Sequence, residues 1–399
     1  MKKKLYIIGS GPGARELLTE RALQVLKSCD RIYSTTHRHK TILSGVAVNI
    51  QECRIQEIPS VLEVSDGTNI GLLVSGDTGF FSIAGSLQQR LEDVADMEIV
   101  CGISSLQYFC AKTGISYENI KAVSLHGRQS SIAGAISYNQ KVFVLTGGNN
   151  KAHLICKNLV EAGMSHIRAA VGENLSMENE RIVTGTVKEL AGNTFEDLSV
   201  LLLENPDFLN CHIPLYDRDF IRGEVPMTKE EIRAVTLSKL AVEPDDVVYD
   251  IGAGTGSVAI EMARKAYNGS VFAIEKNDTA LGLINKNREK LGAFNVTVVP
   301  GTAPDVFNEL PWPNKAFIGG SSGNMDQIVR ELRIKNPEVA IVANAITLES
   351  LNDAISTFEK HGLAADIVCI NSAVAKKAGN YHMMSANNPV YIISGKSRP

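Results

Sequence analysis

The chain has 399 residues, of which 44% are hydrophobic and 21% are charged, and its formal net charge is −4. This length predicts two or three domains, and the composition is typical of a globular protein with ample core. The acidic balance disfavours nucleic acid as a partner, and no apolar run approaches the roughly 20 residues of a membrane span. Seven scattered cysteines without a CxxC pair favour reduced thiols and a cytoplasmic protein.

The first half of the chain alternates short apolar strands with helices, which is typical of an α/β fold with a mostly parallel sheet. The predicted strands are 5–8, 71–75, 97–100, 141–145 and 199–204. The predicted helices are 21–27, 86–91 and 151–163. The pattern restarts near residue 115, where we place a boundary between two subdomains of a first domain that covers residues 1–205.

Prolines and asparagines mark residues 205–214 as a linker to a second domain, which covers residues 214–399. A helix is predicted over 228–240, with Thr228 as its N-terminal cap. The strands predicted after it are 247–250, 270–275, 296–299, 315–318, 339–343, 366–370 and 390–394. The last two strands have no helix between them, so we expect them to pair antiparallel across a loop.

The strand at 247–250 runs directly into the segment Asp-Ile-Gly-Ala-Gly-Thr-Gly. Its glycines Gly252, Gly254 and Gly256 lie at a sharp turn into a helix, where side chains would block a ligand from the backbone amides. Glu275 ends the next strand and could accept hydrogen bonds from the hydroxyls of an adenosine ribose. Both NAD and S-adenosylmethionine fit this pattern, and a helix-packing turn with a surface acid is the alternative.

Three features favour S-adenosylmethionine. The acid that opens the loop, Asp250, suits a cationic ligand better than a pyrophosphate. The antiparallel final strand pair is the pattern of class I methyltransferases, and Thr302 and Ala303 follow the third strand where those enzymes cover the adenine. Residues 214–325 also resemble the family of carbon-15 methyltransferases and decarboxylases of cobalamin biosynthesis. The segments that carry this resemblance are 218–233, the Asp250 loop, 301–304 and 317–323.

This resemblance implies a Rossmann-like class I methyltransferase domain that removes the ring C acetate as CO₂. The family more often has an acid at the position of Thr302. The residues expected to bind the cofactor are Thr228, Asp250, Gly252, Gly254, Gly256, Glu275, Thr302 and Ala303. The residues expected to contact substrate are Lys229, Arg233, Gly319, Gly320 and Ser321. Arg222 and Asn344 are the catalytic candidates, although each of the three cations in this set has an ordinary charged surface as its alternative.

The first strand is followed by Gly-Ser-Gly-Pro-Gly-Ala at 9–14, which satisfies the dinucleotide pattern GxGxxG/A. We reject a dinucleotide site, because the second strand, near 31–34, ends without an acid and Pro12 rigidifies the turn. The loop instead resembles the opening of the tetrapyrrole methylases, a separate methyltransferase class. Further segments that match this class are 74–81, 101–105, 125–128, 145–148 and 171–175.

The second resemblance implies two α/β subdomains with S-adenosylmethionine between them. The residues expected to bind this cofactor are Gly76, Asp77, Ser104, Ser105 and Thr146. The loop residues Gly9, Gly11 and Gly13 then face the macrocycle, Arg128 contacts it, and His126 is a catalytic candidate for methylation at carbon 5. Nearly the whole chain therefore resembles the fused precorrin-6Y C5,15-methyltransferases (decarboxylating).

Each domain is expected to turn one S-adenosylmethionine into S-adenosylhomocysteine on a small tetrapyrrole. Methyl transfer is an in-line displacement that requires positioning and exclusion of water but no metal. We accordingly interpret His37 and His39 as part of a solvated loop rather than as metal ligands. We also expect a homo-oligomer, either a dimer or a tetramer.

Three other functions stay open on the sequence alone. A methyltransferase acting on RNA or protein is one, and the acidic balance counts against RNA. An NAD-dependent oxidoreductase is the second, and Asp250 counts against it. A tetrapyrrole carrier without catalysis is the third, and it would not need two cofactor loops. The presence of cobalt in the substrate and the order of the two methylations also stay open.

Overall fold

The computed structural model describes residues 3–43, 50–65, 67–126 and 130–397. The chain divides into two compact units. The first unit comprises 1–128, 143–157 and 168–203, and the second comprises 129–142, 158–167 and 204–399. The limits 1–205 and 214–399 stay a prediction for the domains themselves.

The first unit begins with a five-stranded sheet in the order β3-β2-β4-β1-β5, whose strands pair parallel. Its strands are β1 (Lys3–Gly9), β2 (Arg31–Ser34), β3 (Ile50–Glu52), β4 (Asn69–Val74) and β5 (Ala95–Val100). The helices of this part are α1 (Glu20–Ser28), α2 (Arg38–Ile42), α3 (Ile58–Val64), α4 (Ala84–Leu91) and α5 (Ser105–Thr113). Residues 5–8 of β1 form a continuous apolar run because the strand is buried on both faces, with Leu5 and Ile7 in one hydrophobic cluster and Tyr6 and Ile8 in another.

A second five-stranded sheet follows in the order β6-β7-β10-β8-β9. Its strands are β6 (Ile120–Ser124), β7 (Lys141–Leu145), β8 (Arg168–Glu173), β9 (Arg181–Thr186) and β10 (Ser199–Glu204). The helices that follow β6, β7 and β9 in the chain are α6 (Ile132–Ser137), α7 (Ala152–Glu161) and α8 (Val187–Leu190). β8 and β9 pair antiparallel, and the sequence analysis predicted neither of them.

The second unit contains a seven-stranded sheet in the order β13-β12-β11-β14-β15-β19-β16. Its strands are β11 (Val247–Ile251), β12 (Ser270–Glu275), β13 (Val296–Pro300), β14 (Lys315–Ile318), β15 (Ala340–Ala345), β16 (Leu363–Ile370) and β19 (Val390–Ser397). Its helices are α9 (Glu230–Leu240), α10 (Ser257–Lys265), α11 (Asp278–Lys290), α12 (Met325–Lys335) and α13 (Leu348–Lys360). All seven predicted strands form, and β19 pairs antiparallel with both β15 and β16.

Two local predictions for this unit are wrong. A hairpin of β17 (Ala373–Ala378) and β18 (Tyr381–Ala386) occupies the segment that was expected to be a loop. Thr228 does not cap α9, because the cap position is held by Lys229 and no side chain makes a capping hydrogen bond there.

The centre of the seven-stranded sheet positions the site. β11 lies between β12 and β14, so the chain order reverses at its carboxyl end, which is where open α/β sheets bind ligands. Alternate residues of β11 face opposite hydrophobic clusters, with Val248 in one and Tyr249 and Ile251 in the other. This double burial fixes the direction in which the following glycine loop leaves the sheet.

Candidate cofactor and substrate sites

A cavity of about 810 Å³ opens at the carboxyl end of the central strands of the second unit. Its volume lies in the usual range of small-molecule sites, roughly 300–1,000 Å³. Eleven of the residues singled out from the sequence line it: Thr228, Lys229, Gly252, Gly254, Glu275, Thr302, Ala303, Gly319, Gly320, Ser321 and Asn344. The cavity thus brings together the glycine loop, the strand-end acid and the loop after β14.

The three glycines of the second loop all have positive φ, between +57° and +77°. A Cβ on Gly252 would lie 2.8 Å from the backbone N and O of Gly320, so the absence of a side chain lets the two loops approach. Gly256 is buried against Ile284 of α11, and it does not line the cavity. Gly256 was expected to bind cofactor. The need for glycine at this position is instead explained by the close packing of the start of α10 on α11.

The carboxylate of Glu275 ties the end of β12 to the glycine loop. Its Oε2 accepts a hydrogen bond from the backbone N–H of Gly254 at 2.9 Å. Its Oε1 accepts from the N–H groups of Lys276 and Asn277 at 2.8 and 3.0 Å. Since each carboxylate oxygen has two acceptor positions, Oε2 keeps one for a ligand.

Asp250 lies beneath the loop with no exposed surface, and it does not line the cavity. Neither carboxyl oxygen has a hydrogen bond of good geometry within the described residues. The pKa of the carboxyl is raised to about 7, chiefly by burial; the backbone N–H of Ala259 opposes the rise, and the nearby charge of Glu275 adds to it. The hydroxyl of Thr255, in the same loop, is also buried without a described partner.

These residues fit S-adenosylmethionine better than a dinucleotide. Gly252 and Gly254 leave the backbone open to the cavity, and Glu275 offers an acceptor to a ribose hydroxyl. Asp250 is a buried acid that pairs with no cation in the described part of the chain, which favours a positively charged ligand above it. A pyrophosphate at the same place would add negative charge next to this carboxyl.

Two predicted polar residues are positioned by α9 on the cavity wall. Asn344, at the end of β15, exchanges hydrogen bonds with the buried hydroxyl of Thr236 at 3.1 and 3.3 Å. Lys229 lies at the N-terminus of α9, and its Nζ is 3.7 Å from a carboxyl oxygen of Asp217. Both side chains are accessible from the cavity.

Two arginines that the sequence analysis expected to act on the substrate do not line the cavity. The side chain of Arg222 is 42% exposed, pairs with Asp217 at 3.0 Å and does not line the cavity. Arg233 is 0% exposed, and its guanidinium is paired with the carboxylates of Asp217 and Glu261 at 2.7 and 2.8 Å. A buried, fully paired guanidinium has no surface to offer to a substrate carboxylate.

The sequence analysis missed one cation of this site, Lys276. It follows Glu275, lines the cavity and donates a hydrogen bond to the hydroxyl of Ser322 at 3.0 Å. The sequence could have indicated Lys276, because it directly follows Glu275, the acid at the end of β12.

In the first unit, the glycine loop meets two other strand ends. Gly11 and Gly76 exchange backbone hydrogen bonds at 3.1 and 2.9 Å. A Cβ on Gly9 would lie 2.7 Å from the N of Gly102, and a Cβ on Gly13 would lie 3.1 Å from the side chain of Met177. The loop therefore packs backbone to backbone against the ends of β4 and β5, and it also contacts the segment after β8.

Three of the expected cofactor residues of this unit are engaged locally. Asp77 accepts hydrogen bonds from the N–H groups of Gly79 and Gly102, both at 3.0 Å. Ser104 is buried and caps α5, of which the half-buried Ser105 is the first residue. Thr146 is buried and donates a hydrogen bond to the carbonyl of Ser199. These contacts explain the side chains structurally, and their role toward a cofactor stays a prediction.

His126, the catalytic candidate of this unit, is exposed and packs its ring on Gly147, where a Cβ would lie 2.5 Å from its Nδ1. Arg128 lies outside the described residues.

The expectation of a solvated loop at 37–39 is wrong for His39. This residue is 1% exposed, and its ring nitrogens lie 2.9 and 2.7 Å from the hydroxyls of Ser10 and Ser34. Burial lowers the pKa of its imidazole to about 4. His39 thus supports the first glycine loop from below.

Within the described part of the chain, no group of three or more His, Cys, Asp and Glu side chains is arranged to hold a metal ion. None of the helices described is both long and apolar enough to cross a membrane.

Comparison with known proteins gives a family match for each half. The family described as tetrapyrrole (corrin/porphyrin) methylases matches residues 4–191, and the precorrin methyltransferase domain matches residues 219–396. The probable cobalt-precorrin-6B C(15)-methyltransferase (decarboxylating) of Pyrobaculum calidifontis is 41% identical over 181 residues, which cover 45% of this chain and 93% of that protein. Its counterpart in Methanocaldococcus jannaschii is 42% identical over 178 residues, which cover 44% and 94%.

Among solved structures, a precorrin-6y C5,15-methyltransferase from Geobacter metallireducens is 42% identical and has a TM-score of 0.44. The match covers 47% of this chain and 97% of that one.

The sheet order, the glycine loop and the strand-end acid define the second unit as a class I S-adenosylmethionine-dependent methyltransferase. The chain belongs to the family of decarboxylating cobalt-precorrin-6B C15-methyltransferases. It is a C-methyltransferase of cobalamin biosynthesis with S-adenosylmethionine as its methyl donor and a small tetrapyrrole as its substrate. This family assignment replaces the three other functions that the sequence alone left open: a methyltransferase acting on RNA or protein, an NAD-dependent oxidoreductase and a tetrapyrrole carrier without catalysis.

Proposed function

We propose that the chain methylates a precorrin macrocycle at carbon 5 and carbon 15 and releases the ring C acetate as CO₂. The first unit performs the carbon-5 methylation, and the second performs the carbon-15 methylation and the decarboxylation. The observation that carries this proposal is the presence of two separate glycine loops, at 9–13 and 252–256, each at strand ends in its own unit. A single methylation would need only one of them.

In the second unit, the proposed cofactor residues are Thr228, Gly252, Gly254, Glu275, Thr302 and Ala303, with Asp250 acting through its charge from beneath the loop. The proposed substrate residues are Lys229, Lys276, Gly319, Gly320 and Ser321, with Asn344 nearest to a catalytic role. Their support is that all except Asp250 line one cavity. Lysine side chains suit a substrate that carries several carboxylates.

In the first unit, we propose that Gly76, Asp77, Ser104, Ser105 and Thr146 form the cofactor site. The macrocycle is proposed to lie against Gly9, Gly11 and Gly13, with His126 and Arg128 at its edge. The support is the family match over residues 4–191, together with the contact between the glycine loop and Gly76.

S-adenosylmethionine supplies the methyl group in both reactions. The chain orients the accepting carbon and excludes water from the cavity, which is where most of the rate gain of such displacements arises. In the second unit, loss of CO₂ leaves its electron pair in the conjugated macrocycle, so the substrate itself acts as the electron sink. That electron release makes carbon 15 nucleophilic.

We further propose a cytoplasmic homo-oligomer that acts without nucleic acid. Seven free cysteines suit a reducing compartment. The hairpin β17–β18 exposes Tyr381, Met383 and Met384 at 78%, 63% and 66%, a patch that suits contact with a second copy. A net charge of −4 disfavours nucleic acid.

Titration of the full chain with S-adenosylhomocysteine tests the proposal. The wild type should bind two equivalents. Glu275→Ala removes a charge-assisted acceptor and should weaken one of the two sites by about 2 kcal/mol, or about 30-fold, while the other is unchanged. Asp278→Ala removes a nearby exposed carboxylate that does not line the cavity, and it should leave both sites intact. A wild type with a single site, or Glu275→Ala with unchanged affinity, would contradict the assignment.

A further inference from the structure

Residues 215–228, which we name the strap, pass over the cofactor loop of the second unit. We propose that Arg233 and Asn287 are positioning residues that hold the strap in place and thereby set the cofactor affinity of that site. The inference rests on the proposed cofactor site. Both residues are 0% exposed and neither lines the cavity, so Arg233 acts through the strap, and Asn287 acts through the strap and its contact with the loop.

The strap covers the loop closely. A Cβ on Gly254 would lie 3.2 Å from the carbonyl oxygen of Pro226 and 3.8 Å from the side chain of Val225. Residues 224–228 form part of the cavity wall. The strap contains one short helical turn, Asp217–Asp219, and otherwise has no helix or strand. Its own Phe220 is buried in the core of the unit, and the rest of its path is fixed by hydrogen bonds from side chains outside it.

Arg233 joins the two ends of the strap. Its guanidinium donates to the carbonyl oxygen of Leu215 at 3.2 Å and to that of Thr228 at 2.7 Å. It also pairs with the carboxylate of Asp217 and lies over the ring of Phe220 at 4.8 Å. Only a planar, multidentate cation can make these contacts together, so lysine cannot replace it.

Asn287, on α11, joins the middle of the strap to the cofactor loop. Its Oδ1 accepts from the N–H of Ile221 at 2.6 Å, and its Nδ2 donates to the carbonyl of the same residue at 3.1 Å. The Nδ2 group also donates to the carbonyl oxygen of Thr255 at 2.9 Å. One buried amide therefore fixes strap and loop relative to each other.

Pinning the strap at both ends and in the middle reduces the conformational freedom that cofactor binding would otherwise remove. Binding to a preorganised site loses less entropy and is therefore tighter. If Arg233 or Asn287 loses these contacts, the strap samples open conformations. The apparent association constant is then the intrinsic one multiplied by the fraction of molecules whose strap is closed.

The test uses the full chain with Arg233→Lys and Asn287→Asp. Asn287→Asp keeps the shape but loses both donated hydrogen bonds. Arg264→Lys is the matched control, because Arg264 is also buried in this unit but donates to the carbonyls of Asn210 and Ile213, outside the strap. The readouts are hydrogen exchange of strap amides without ligand, S-adenosylhomocysteine affinity, and the KM and kcat of carbon-15 methylation.

In both strap variants, exchange at Ile221 should accelerate about tenfold or more, while the core amides of β11 exchange as in the wild type. One of the two S-adenosylhomocysteine sites should weaken by about tenfold to 100-fold, as expected for lost charged or buried hydrogen bonds. The KM for S-adenosylmethionine should rise in parallel, with a smaller change in kcat. The control should change none of these.

Faster strap exchange with unchanged affinity would overturn this inference and leave the proposed function standing. An equal loss of affinity in Arg264→Lys would also overturn it, because the effect would then be general destabilisation. If faster exchange in β11 shows that Arg233→Lys has unfolded, Asn287→Asp decides the question by the same criteria. A wild type without a second S-adenosylhomocysteine site would overturn the proposed function instead.

Discussion

Asp250 is a buried acid that the fold holds away from water, and its carboxyl oxygens have no hydrogen bond of good geometry within the described residues. Such a group retains its proton to higher pH than it does in the unfolded chain, because burial penalises the charged form. At neutral pH the second unit therefore holds a carboxyl near the midpoint of its titration at the base of the glycine loop 252–256, with a pKa of about 7. A cationic ligand would favour its ionised form.

This raised pKa predicts a pH dependence of stability. Between about pH 4 and pH 7 the folded state binds a proton at Asp250 that the unfolded state has lost, so the free energy of unfolding falls as pH rises. Asp250→Asn removes this titration. The stability of the variant relative to the wild type should increase by up to about 4 kcal/mol between pH 4 and pH 8.

Hydrogen exchange of the β11 core amides measures this difference for the second unit alone. A stability difference between variant and wild type that is flat across this pH range would show that Asp250 is ionised at all these pH values.

The same residue scale shows where sequence reasoning was sufficient and where it was not. Glu275 could be located because a strand end and a glycine loop are both local patterns. Arg222, Lys229 and Arg233 could not be told apart, because their surroundings depend on how the irregular chain folds around Asp217 and on Glu261 of α10. His39 was misplaced for the same reason, since the serines that bury it lie in β2 and in the first loop.

At the scale of elements, three glycines join the strand ends of the first sheet. Gly9, Gly76 and Gly102 meet at the ends of β1, β4 and β5, and a Cβ on Gly102 would lie 2.4 Å from the carbonyl oxygen of Gly76. The atoms nearest to this Cβ position belong to the backbone of Gly76 and Gly9, so no flexible side chain could move aside to make room. The contact is therefore intolerant of any side chain.

Gly102→Ala should destabilise the first unit by more than about 2 kcal/mol, because the clash forces the ends of β4 and β5 apart. Gly85→Ala is the matched control. Gly85 lies in α4 with nothing within 4 Å of its Cβ position, so alanine should stabilise the unit by about 0.5–1 kcal/mol through helix propensity. Hydrogen exchange of the β1 amides measures both, and equal stability of the two variants would refute the close contact.

Most strands could be predicted because they are short apolar runs between turn residues. β17 and β18 could not, since their residues are almost all exposed and their sequence lacks alternation of apolar and polar side chains. β8 and β9 were missed although β8 is mostly buried, because its alanines and glycine give a weak strand signal. The topology of the second sheet consequently could not be derived.

At the scale of the whole molecule, two units carry two loops that are built differently. In the first, the loop is fixed by backbone contact with other glycines and lies above His39. In the second, the loop leads into α10 and is tied to a strand-end acid. Under the proposed function, these are two catalytic sites, each with its own reaction.

Substitution of Gly254 separates the two reactions. Its φ is +57°, and its Cβ position is 3.2 Å from the strap, so Gly254→Val should close the second cofactor site. Gly282→Val, in α11 with nothing within 4 Å of its Cβ position, controls for the substitution itself.

The mass of the product formed from precorrin by Gly254→Val is the most direct measurement. We predict a product with one added methyl, at carbon 5, and with the ring C acetate retained, whereas wild type and Gly282→Val add two methyls and release CO₂. A Gly254→Val product with two methyls, or one methylated at carbon 15 but not at carbon 5, would contradict the account.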